Sequence, residues 1–337
     1  KNLKIVKILS KELDLGNKEQ FYYKISIVVR ISGSFDNKEK FSEYIERAGE
    51  IKKPVNIKER PIIIGFGPAG MFAALWLLDY GIKPIIFERG KRIEERALDV
   101  QRFILERKLD AESNIQFGEG GAGSFSDGKL FSRRNRNTVY VNRVLDTFIK
   151  FGAPEEIGYI SKPHLGTDVL CRIVANIRNY ILERGGRIHY SSKITDLLIS
   201  KGRARGVEIN GDQKHYSSDV YLAVGHSARD TYEMICKKGI AVEQKSIMVG
   251  VRIEHPVELI NLIRYGDRYK DFPGIGAAAY SFNYTDRKKK RGVYTFCMCP
   301  GGEILNASSE EGMMVLNGMS YSGRSSAFSN SAIVVSC

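Results

Sequence analysis

Three glycines at short spacing are the residues best suited to chemistry in this sequence. Gly65, Gly67 and Gly70 form G-x-G-x-x-G, which follows the apolar run PIIIG and opens a helical pattern. Gly65 would permit a tight turn, Gly67 would leave room for a pyrophosphate, and Gly70 would let helix and strand pack closely. The pattern therefore predicts a turn that holds the phosphates of a dinucleotide.

An acidic residue completes the predicted motif. Glu88 ends the second strand, PIIFERG, where a carboxylate can accept hydrogen bonds from both ribose hydroxyls and would repel a 2′-phosphate. Pro68 and Ala69 fall in the first turn of the helix, whose free N–H groups and positive dipole favour a diphosphate. A chance glycine turn with an exposed glutamate is the alternative, and the strand–turn–helix–strand context disfavours it. The motif by itself leaves FAD and NAD open.

The elements that must position this motif have the order of an α/β protein. A continuous apolar strand before the glycines is typical of a parallel sheet covered on both faces. Residues 169–183 form an amphipathic helical pattern ended by Gly185, and several strand signals follow, of which 219–224 is the strand expected to return to the sheet. These elements predict a three-layer Rossmann-like domain over 58–235.

The two ends of the chain have a different pattern. Residues 1–57 are predicted to form a small α+β unit, with a strand at 22–32 and a short helix at 38–50. From residue 236 onward the sequence becomes rich in strand signals and poor in helix signals. We therefore expect a β-rich second domain at 236–337, inserted into the dinucleotide-binding domain.

Several longer segments carry a family resemblance. The stretch 185–225 resembles the returning strand and β-meander of glutathione-reductase-like flavoproteins. Other segments resemble a family of bacterial FAD-dependent dehydrogenases whose substrate is generally unassigned. These segments are FGEGGAGSFSDGKL (117–130), KPHLGTD (162–168), AVGHSARDTYEM (223–234), GVRIEHP (250–256) and FCMCPGGE (296–303). The resemblance implies an FAD/NAD(P)-binding Rossmann-like fold with FAD as cofactor, and NAD(P)H as a possible transient electron donor.

The resemblance also implies roles for particular residues. Ile194 would touch the adenine through its backbone, and Gly225 would close the strand beside the cofactor. Arg96 would point back to the phosphates, although a solvated helix arginine is an equal alternative. The glycine-rich loop, residues 117–128, would lie against the diphosphate or the ribityl chain, or form a plain surface turn. The expected cofactor-binding set beyond the first motif is Arg89, Arg96, Gly120, Gly121, Ser126, Ile194 and Gly225.

One part of the flavoprotein pattern is missing from the sequence. Such proteins carry a late G-D or G-E-G-x-G segment that contacts the pyrophosphate and ribityl chain, and nothing like it follows NSAIVVSC (330–337). The chain also begins at Lys1. We therefore expect a shortened chain with an incomplete second domain. The alternative to an FAD-dependent oxidoreductase is a non-catalytic or degenerate FAD- or nucleotide-binding fragment.

The candidates for catalysis are weaker than those for cofactor binding. His226 and His164 could donate a proton, or simply satisfy loop backbone. Cys297 and Cys299 form C-x-C, which could be a redox pair or two small buried hydrophobes. Flavin chemistry belongs to the cofactor, so no acid–base residue is obligatory. The substrate is expected to be a small molecule of unknown identity.

Composition sets limits on the other possible functions. The 337 residues carry a net charge of +13, with the densest basic run at 287–291, DRKKKRG. That run is predicted to be a solvated turn between strands, and nucleic-acid binding is not expected because no aromatic residues interleave it. No run is long enough to span a membrane and no signal peptide is recognisable, so the cytoplasm is the default location. The scattered cysteines and histidines predict no metal site.

Overall fold

The structure is a computed structural model, and it describes residues 3–16, 19–33, 36–45, 53–130, 139–272 and 274–337. Its strands are β1 (Leu3–Asp14), β2 (Tyr22–Ile31), β3 (Ile62–Ile64), β4 (Ile85–Phe87), β5 (Arg187–His189), β6 (Ile194–Ser200), β7 (Arg203–Ile209), β8 (Gln213–Tyr216), β9 (Val220–Leu222), β10 (Met248–Pro256), β11 (Asn283–Asp286), β12 (Arg291–Cys299), β13 (Glu303–Asn306), β14 (Leu316–Met319) and β15 (Phe328–Ser336). The helices within these ranges are α1 (Pro68–Asp79), α2 (Ile93–Glu106), α3 (Val139–Lys150), α4 (Gly166–Glu183), α5 (Arg229–Lys237) and α6 (Val257–Tyr265).

A four-stranded parallel sheet lies at the centre of the first half of the chain. Its order is β5-β4-β3-β9, and every neighbouring pair runs parallel. Strands β3 and β4 are joined through α1, which confirms the predicted βαβ unit. Strand β9 pairs with β3, with Ile62 opposite Val220, so the predicted return of the chain to this sheet is also confirmed.

Three layers result from the alternation of side chains along these short strands. Successive residues of a strand point to opposite faces. Ile63 and Ile86 accordingly pack in one core with the helices, chiefly α1 and α4. Their neighbours pack in a second core against the antiparallel sheet β6-β7-β8; they are Ile62, Ile64, Ile85 and Phe87, facing Ile194, Leu197, Val207 and Ile209. The α/β architecture with a doubly covered parallel sheet is therefore confirmed.

Helix α4 begins slightly earlier than its amphipathic pattern indicates. The predicted residues 169–183 are helical, but the helix begins at Gly166, which has a φ of 76°. A Cβ on Gly166 would collide with the backbone nitrogen of Ser322. The start of α4 is thus set by a tertiary contact with a segment more than 150 residues away, which no local pattern reveals.

The C-terminal region is β-rich, as predicted, and it also contains α6. An antiparallel sheet has the order β10-β15-β12-β11, and β13 pairs with β14 in a separate hairpin. Leu305, Ala307 and Met319 from this hairpin region are buried in the same core as α4. The hairpin is therefore continuous with the first half of the molecule, and the predicted domain limits stay a prediction.

The N-terminal segment differs from its predicted α+β form. Strand β2 confirms the predicted strand, and it pairs antiparallel with β1. The predicted helix at 38–50 is wrong over 38–45, which are not helical, while 46–50 lie outside the described residues. The side chain of Asn37 accepts a hydrogen bond from the Phe41 backbone at 2.7 Å and holds a turn there. Asparagine side chains compete with helix formation in this way.

Two other sequence features can be located in the fold. Residues 287–290 form the exposed turn between β11 and β12, so the predicted turn is confirmed. Among the helices that the structure describes, none is both long and apolar enough to cross a membrane.

Replacement of Ile63 by alanine should destabilise the protein strongly. Ile63 is fully buried between the parallel sheet and the helical layer. The cavity left behind should lower the free energy of unfolding by about 2–5 kcal/mol. Ile199→Ala, at a half-exposed position of β6, is the control and should cost about 1 kcal/mol at most. Urea unfolding measures both, and equal losses would contradict the three-layer packing.

Candidate functional site

A cavity of about 500 Å³ opens where the parallel strands β3, β4 and β9 end. Ligands of α/β proteins bind at this carboxyl edge of the sheet. The walls are the first turn of α1, the glycine-rich loop, and the residues that follow β4 and β9. The structure brings nine predicted cofactor-binding residues to this cavity: Gly65, Gly67, Pro68, Ala69, Glu88, Arg89, Gly121, Ile194 and Gly225.

The three motif glycines are needed for different reasons. Gly65 has a φ of 97°, and a Cβ there would lie 2.5 Å from the Ala223 carbonyl oxygen. A Cβ on Gly70 would collide with the Gly65 carbonyl oxygen. Gly67 has ordinary extended backbone, with a φ of −79°, and its Cβ would make only a normal contact, 3.5 Å from the Cα of Gly121. Protein packing therefore explains Gly65 and Gly70, whereas at Gly67 it leaves space that faces the cavity.

The glycine-rich loop lies opposite the start of α1. Gly121 contacts Gly67 so closely that a Cβ on Gly121 would lie 2.9 Å from the Gly67 Cα. Gly120 does not line the cavity; its N–H donates to the Phe66 carbonyl at 2.9 Å and fixes the loop to the glycine turn. The Ser126 hydroxyl also points elsewhere, because it donates to the Gly123 carbonyl at 2.7 Å. Gly120 and Ser126 thus shape the loop.

Glu88 holds together the chain segments around the cavity. Its carboxylate accepts hydrogen bonds from the backbone N–H groups of Phe66 at 2.7 Å, Gly90 at 2.9 Å and Gly118 at 3.0 Å. The side chain is 4% exposed. The sequence predicts a ribose ligand for this carboxylate, and the structure adds three backbone donors that the sequence does not reveal. A carboxylate has about four lone-pair sites, so one is left for a further donor.

Arg96 occupies neither of the positions expected from the sequence. It is neither a solvated helix residue nor a part of the cavity wall. Its guanidinium is fully buried. It donates hydrogen bonds to five backbone carbonyl groups in the glycine-rich loop and just before it: Asn114, Ile115, Gly118, Glu119 and Gly121. Burial lowers the pKa of Arg96 to about 10, which leaves it charged at neutral pH. The prediction that Arg96 points to a ligand's phosphates is therefore corrected: it holds the loop.

Arg89 lies in the wall as part of an ion network. Its guanidinium donates to Glu112 at 2.7 Å and Asp230 at 2.9 Å, and stacks 4.1 Å from the Phe117 ring centre. Lys193, which the sequence analysis missed, binds the same two carboxylates at 2.9 and 2.7 Å. Burial opposes ionisation of Asp230, but hydrogen bonds from Arg89 and Lys193 outweigh it and hold its pKa well below the usual value. The network joins the loop, β6 and α5.

The two candidate histidines are at different places. His226 lines the cavity, and its Nε2 lies 3.4 Å from the Ser227 hydroxyl, which donates to Gln116 at 3.2 Å. His164 lies outside the cavity lining, with its Nε2 3.1 Å from the Ser322 carbonyl. Burial lowers the pKa of His164. Of the two, only His226 is positioned to meet a ligand in this cavity.

The C-x-C pair lies in a separate polar cluster. Cys299 is fully buried, and its sulfur lies 3.4 Å from Arg252 Nη2 and 3.6 Å from Lys129 Nζ. Lys129 also pairs with the buried carboxylate of Asp127 at 2.6 Å. Cys299 is therefore buried, as one of the two alternatives expects, but its sulfur faces two cations. In the described ranges, including this cluster, no three side chains of His, Cys, Asp or Glu are grouped closely enough for a metal ion.

Comparison with known proteins supports the assignment of this chain as a flavoprotein. Residues 246–337 match the family described as FAD-dependent protein, C-terminal domain-like. The chain is also 49% identical over 280 residues to an uncharacterized protein of Clostridium beijerinckii, an alignment that covers 83% of this chain and 52% of that protein. The chain thus spans about half the length of the curated relative it matches.

Solved structures give weaker likenesses. A crystal structure of FqzB superposes with a TM-score of 0.38 at 15% identity, over 85% of this chain and 56% of that one. The Thermovibrio ammonificans THI4 structure gives a TM-score of 0.35 at 18% identity, over 54% and 63% of the two chains. Likenesses at this level do not establish a shared activity.

Removal of the Glu88 carboxylate should weaken the fold itself. In Glu88→Ala three buried backbone donors lose their acceptor, and the free energy of unfolding should fall by about 3 kcal/mol. Glu88→Gln keeps one acceptor oxygen and should cost less. Glu95→Ala, at an exposed position of α2, serves as the control. Chemical unfolding of the three variants gives their order of stability. A Glu88→Ala protein as stable as the control would exclude a structural role for this carboxylate.

The ion network should make stability sensitive to acid. Because the folded-state pKa of Asp230 lies below its usual value of 3.8, its stabilisation is present above that pH and is lost as the pH falls through the folded-state pKa. Asp230→Asn should therefore be less stable than the parent at neutral pH, with a difference that stays constant down to about pH 5 and shrinks as the pH falls below 3.8 toward the folded-state pKa. The matched control is Asp212→Asn in an exposed turn. A difference that stays constant with pH would refute the assignment.

Proposed function

We propose that this chain is part of an FAD-dependent oxidoreductase and that the cavity at the end of the parallel sheet holds the cofactor. The observation that carries the proposal is the free space at Gly67. Packing within the protein does not require glycine there. A side chain at this position would occupy space in the cavity next to the first turn of α1. A group that must approach the backbone closely is the reason for glycine at this point of a dinucleotide motif.

The residues around the cavity fit the adenosine diphosphate half of FAD. The backbone N–H groups of Ala69 and Gly70 at the start of α1 would face the diphosphate, with Gly121 on the opposite wall. Glu88 retains a lone pair for a ribose hydroxyl, and Ile194 would border the adenine. When bound, FAD would supply hydride and electron transfer, while the protein would provide orientation and electrostatics.

Among the described residues that line the cavity, one is a candidate to donate a proton to a ligand. His226 is exposed at its edge and lies beside the hydroxyl of Ser227. Its ring nitrogens can donate or accept a hydrogen bond to a ligand there. The substrate is a small molecule that these residues do not identify. NAD(P)H as the electron donor stays a prediction, as does the alternative of a nucleotide-binding module without redox activity.

Gly67→Ala should separate ligand binding from folding. The new methyl group finds ordinary contacts within the protein, so the free energy of unfolding should stay within about 1 kcal/mol of the parent. The same methyl group would meet the diphosphate, and FAD binding should weaken at least about tenfold, with Gly67→Val weaker still. Flavin absorbance of the purified proteins, followed by titration with FAD, measures binding. Gly323→Ala, in open space outside the cavity, is the control.

The same preparations test the wider proposal. A parental protein that binds FAD and loses its flavin absorbance under NADH or NADPH without oxygen would support an oxidoreductase. FAD binding without reduction by any donor would favour the non-catalytic module. If the Gly67→Ala protein binds FAD as tightly as the parent, the cavity is not the phosphate site.

A further inference from the structure

The two cysteines of β12 are brought together by a bulge. Strand β12 pairs regularly with β15 up to Phe296, opposite Ala332, and resumes with Cys299 opposite Asn330, so it holds one extra residue between these pairs. Cys297 has left-handed backbone there, with a φ of 48°. In a regular strand, residues i and i+2 are about 6.6 Å apart along the chain, beyond the Cβ separation of about 4 Å in a disulfide. Here the Cys299 thiol turns back toward Cys297 and donates to its backbone carbonyl, with the sulfur 3.4 Å from that oxygen.

The two sulfurs have unequal surroundings. Cys297 is partly exposed, whereas Cys299 is fully buried. Arg252 contacts both residues, with its Nη2 2.9 Å from the Cys297 carbonyl and 3.4 Å from the Cys299 sulfur. Lys129 adds a second cation 3.6 Å from the Cys299 sulfur. Cys297 is therefore partly open to solvent as a residue, whereas the Cys299 sulfur is shielded and faced by positive charge.

The charges around the pair are not balanced by carboxylates. Asp127 is the acidic neighbour, and it already pairs with Lys129 and with Arg324, each at 2.6 Å. Arg252 donates a hydrogen bond from its Nε to the amide oxygen of Asn330 at 2.7 Å, and this partner is neutral. A thiolate would supply negative charge at this point. The hydrogen bond from Cys299 and the nearby cations lower the pKa of Cys297 to about 6, while Cys299 keeps its proton and its pKa is raised.

We propose that Cys297 and Cys299 form a thiol–disulfide exchange site for small disulfides, separate from the dinucleotide cavity. The Cys297 thiolate attacks one sulfur of the disulfide, which forms a mixed disulfide and releases one thiolate of the substrate. Cys299 then loses its proton to solvent and attacks the Cys297 sulfur, which releases the second thiolate. Two protein thiols are oxidised to one disulfide, and one small disulfide is reduced to two thiols. Lys129 and Arg252 are positioning residues that stabilise negative charge on Cys299.

The experiment uses the full chain with glutathione disulfide as the probe. Cys236→Ser and Cys337→Ser are introduced first, because both of those thiols are exposed and would react on their own. Cys171 remains as an internal control, since burial raises its pKa. Intact mass spectrometry should show the loss of two hydrogens, and peptide mapping should join Cys297 to Cys299. The first step should rise with pH around a midpoint near 6, well below the value of about 8.5 for a free thiol.

Single substitutions separate the two steps. Cys299→Ser should stop at a mixed disulfide that carries one glutathione, and Cys297→Ser should not react. Lys129→Gln should slow the second step by about tenfold, so that the mixed disulfide accumulates, and it should raise the pH midpoint of the first step. Lys162→Gln, at an exposed position, is the matched control and should behave as the parent.

Three results would overturn the proposal. They are a reaction in Cys297→Ser as fast as in the parent, a cross-link that forms only after urea unfolds the protein, or a first step with the midpoint of an ordinary thiol. The pH profile is decisive for Lys129, because a lysine that only supports folding would change stability and leave the midpoint unmoved. None of these readouts depends on bound FAD.

Discussion

The buried carboxylate of Glu88 gathers three separate parts of the chain. It accepts hydrogen bonds from the N–H groups of Phe66 in the glycine turn, of Gly90 in the segment after β4, and of Gly118 in the glycine-rich loop. A buried charge is stable only when such donors surround it. The rest of the cavity depends on this interaction, because it fixes the loop beside the start of α1 while leaving the first turn of that helix open to the cavity.

Arg96 complements Glu88 with the opposite charge. Glu88 accepts hydrogen bonds from backbone N–H groups, whereas Arg96 donates hydrogen bonds to backbone carbonyl oxygens between Asn114 and Gly121. A loop rich in glycine loses much conformational freedom when it is ordered. Because two buried side chains order this loop during folding, a ligand that binds against it does not have to bear that cost. A wall formed in advance suits a tightly held cofactor.

The glycine-rich loop also connects the cavity with the cysteine pair. Gly121 lines the cavity, and a few residues further on Asp127 and Lys129 belong to the cluster around Cys299. Asp127 binds Arg324 in addition, so the loop is tied to the C-terminal region by buried ion pairs. This one segment therefore contacts both of the sites proposed for the chain.

The sequence by itself determined the βαβ unit and the position of the glycine turn, because apolar periodicity and glycine spacing are local properties of the chain. Other residues of the cavity wall, such as Ile194 and Gly225, were expected only from the family resemblance. It did not determine the structure at 38–45, where the Asn37 side chain holds a turn. Only the tertiary structure decided that Arg96 holds a loop, that Lys193 joins the wall, and that a bulge brings Cys297 to Cys299. Each of these depends on partners distant in sequence or on strand register, and local patterns contain no information about either.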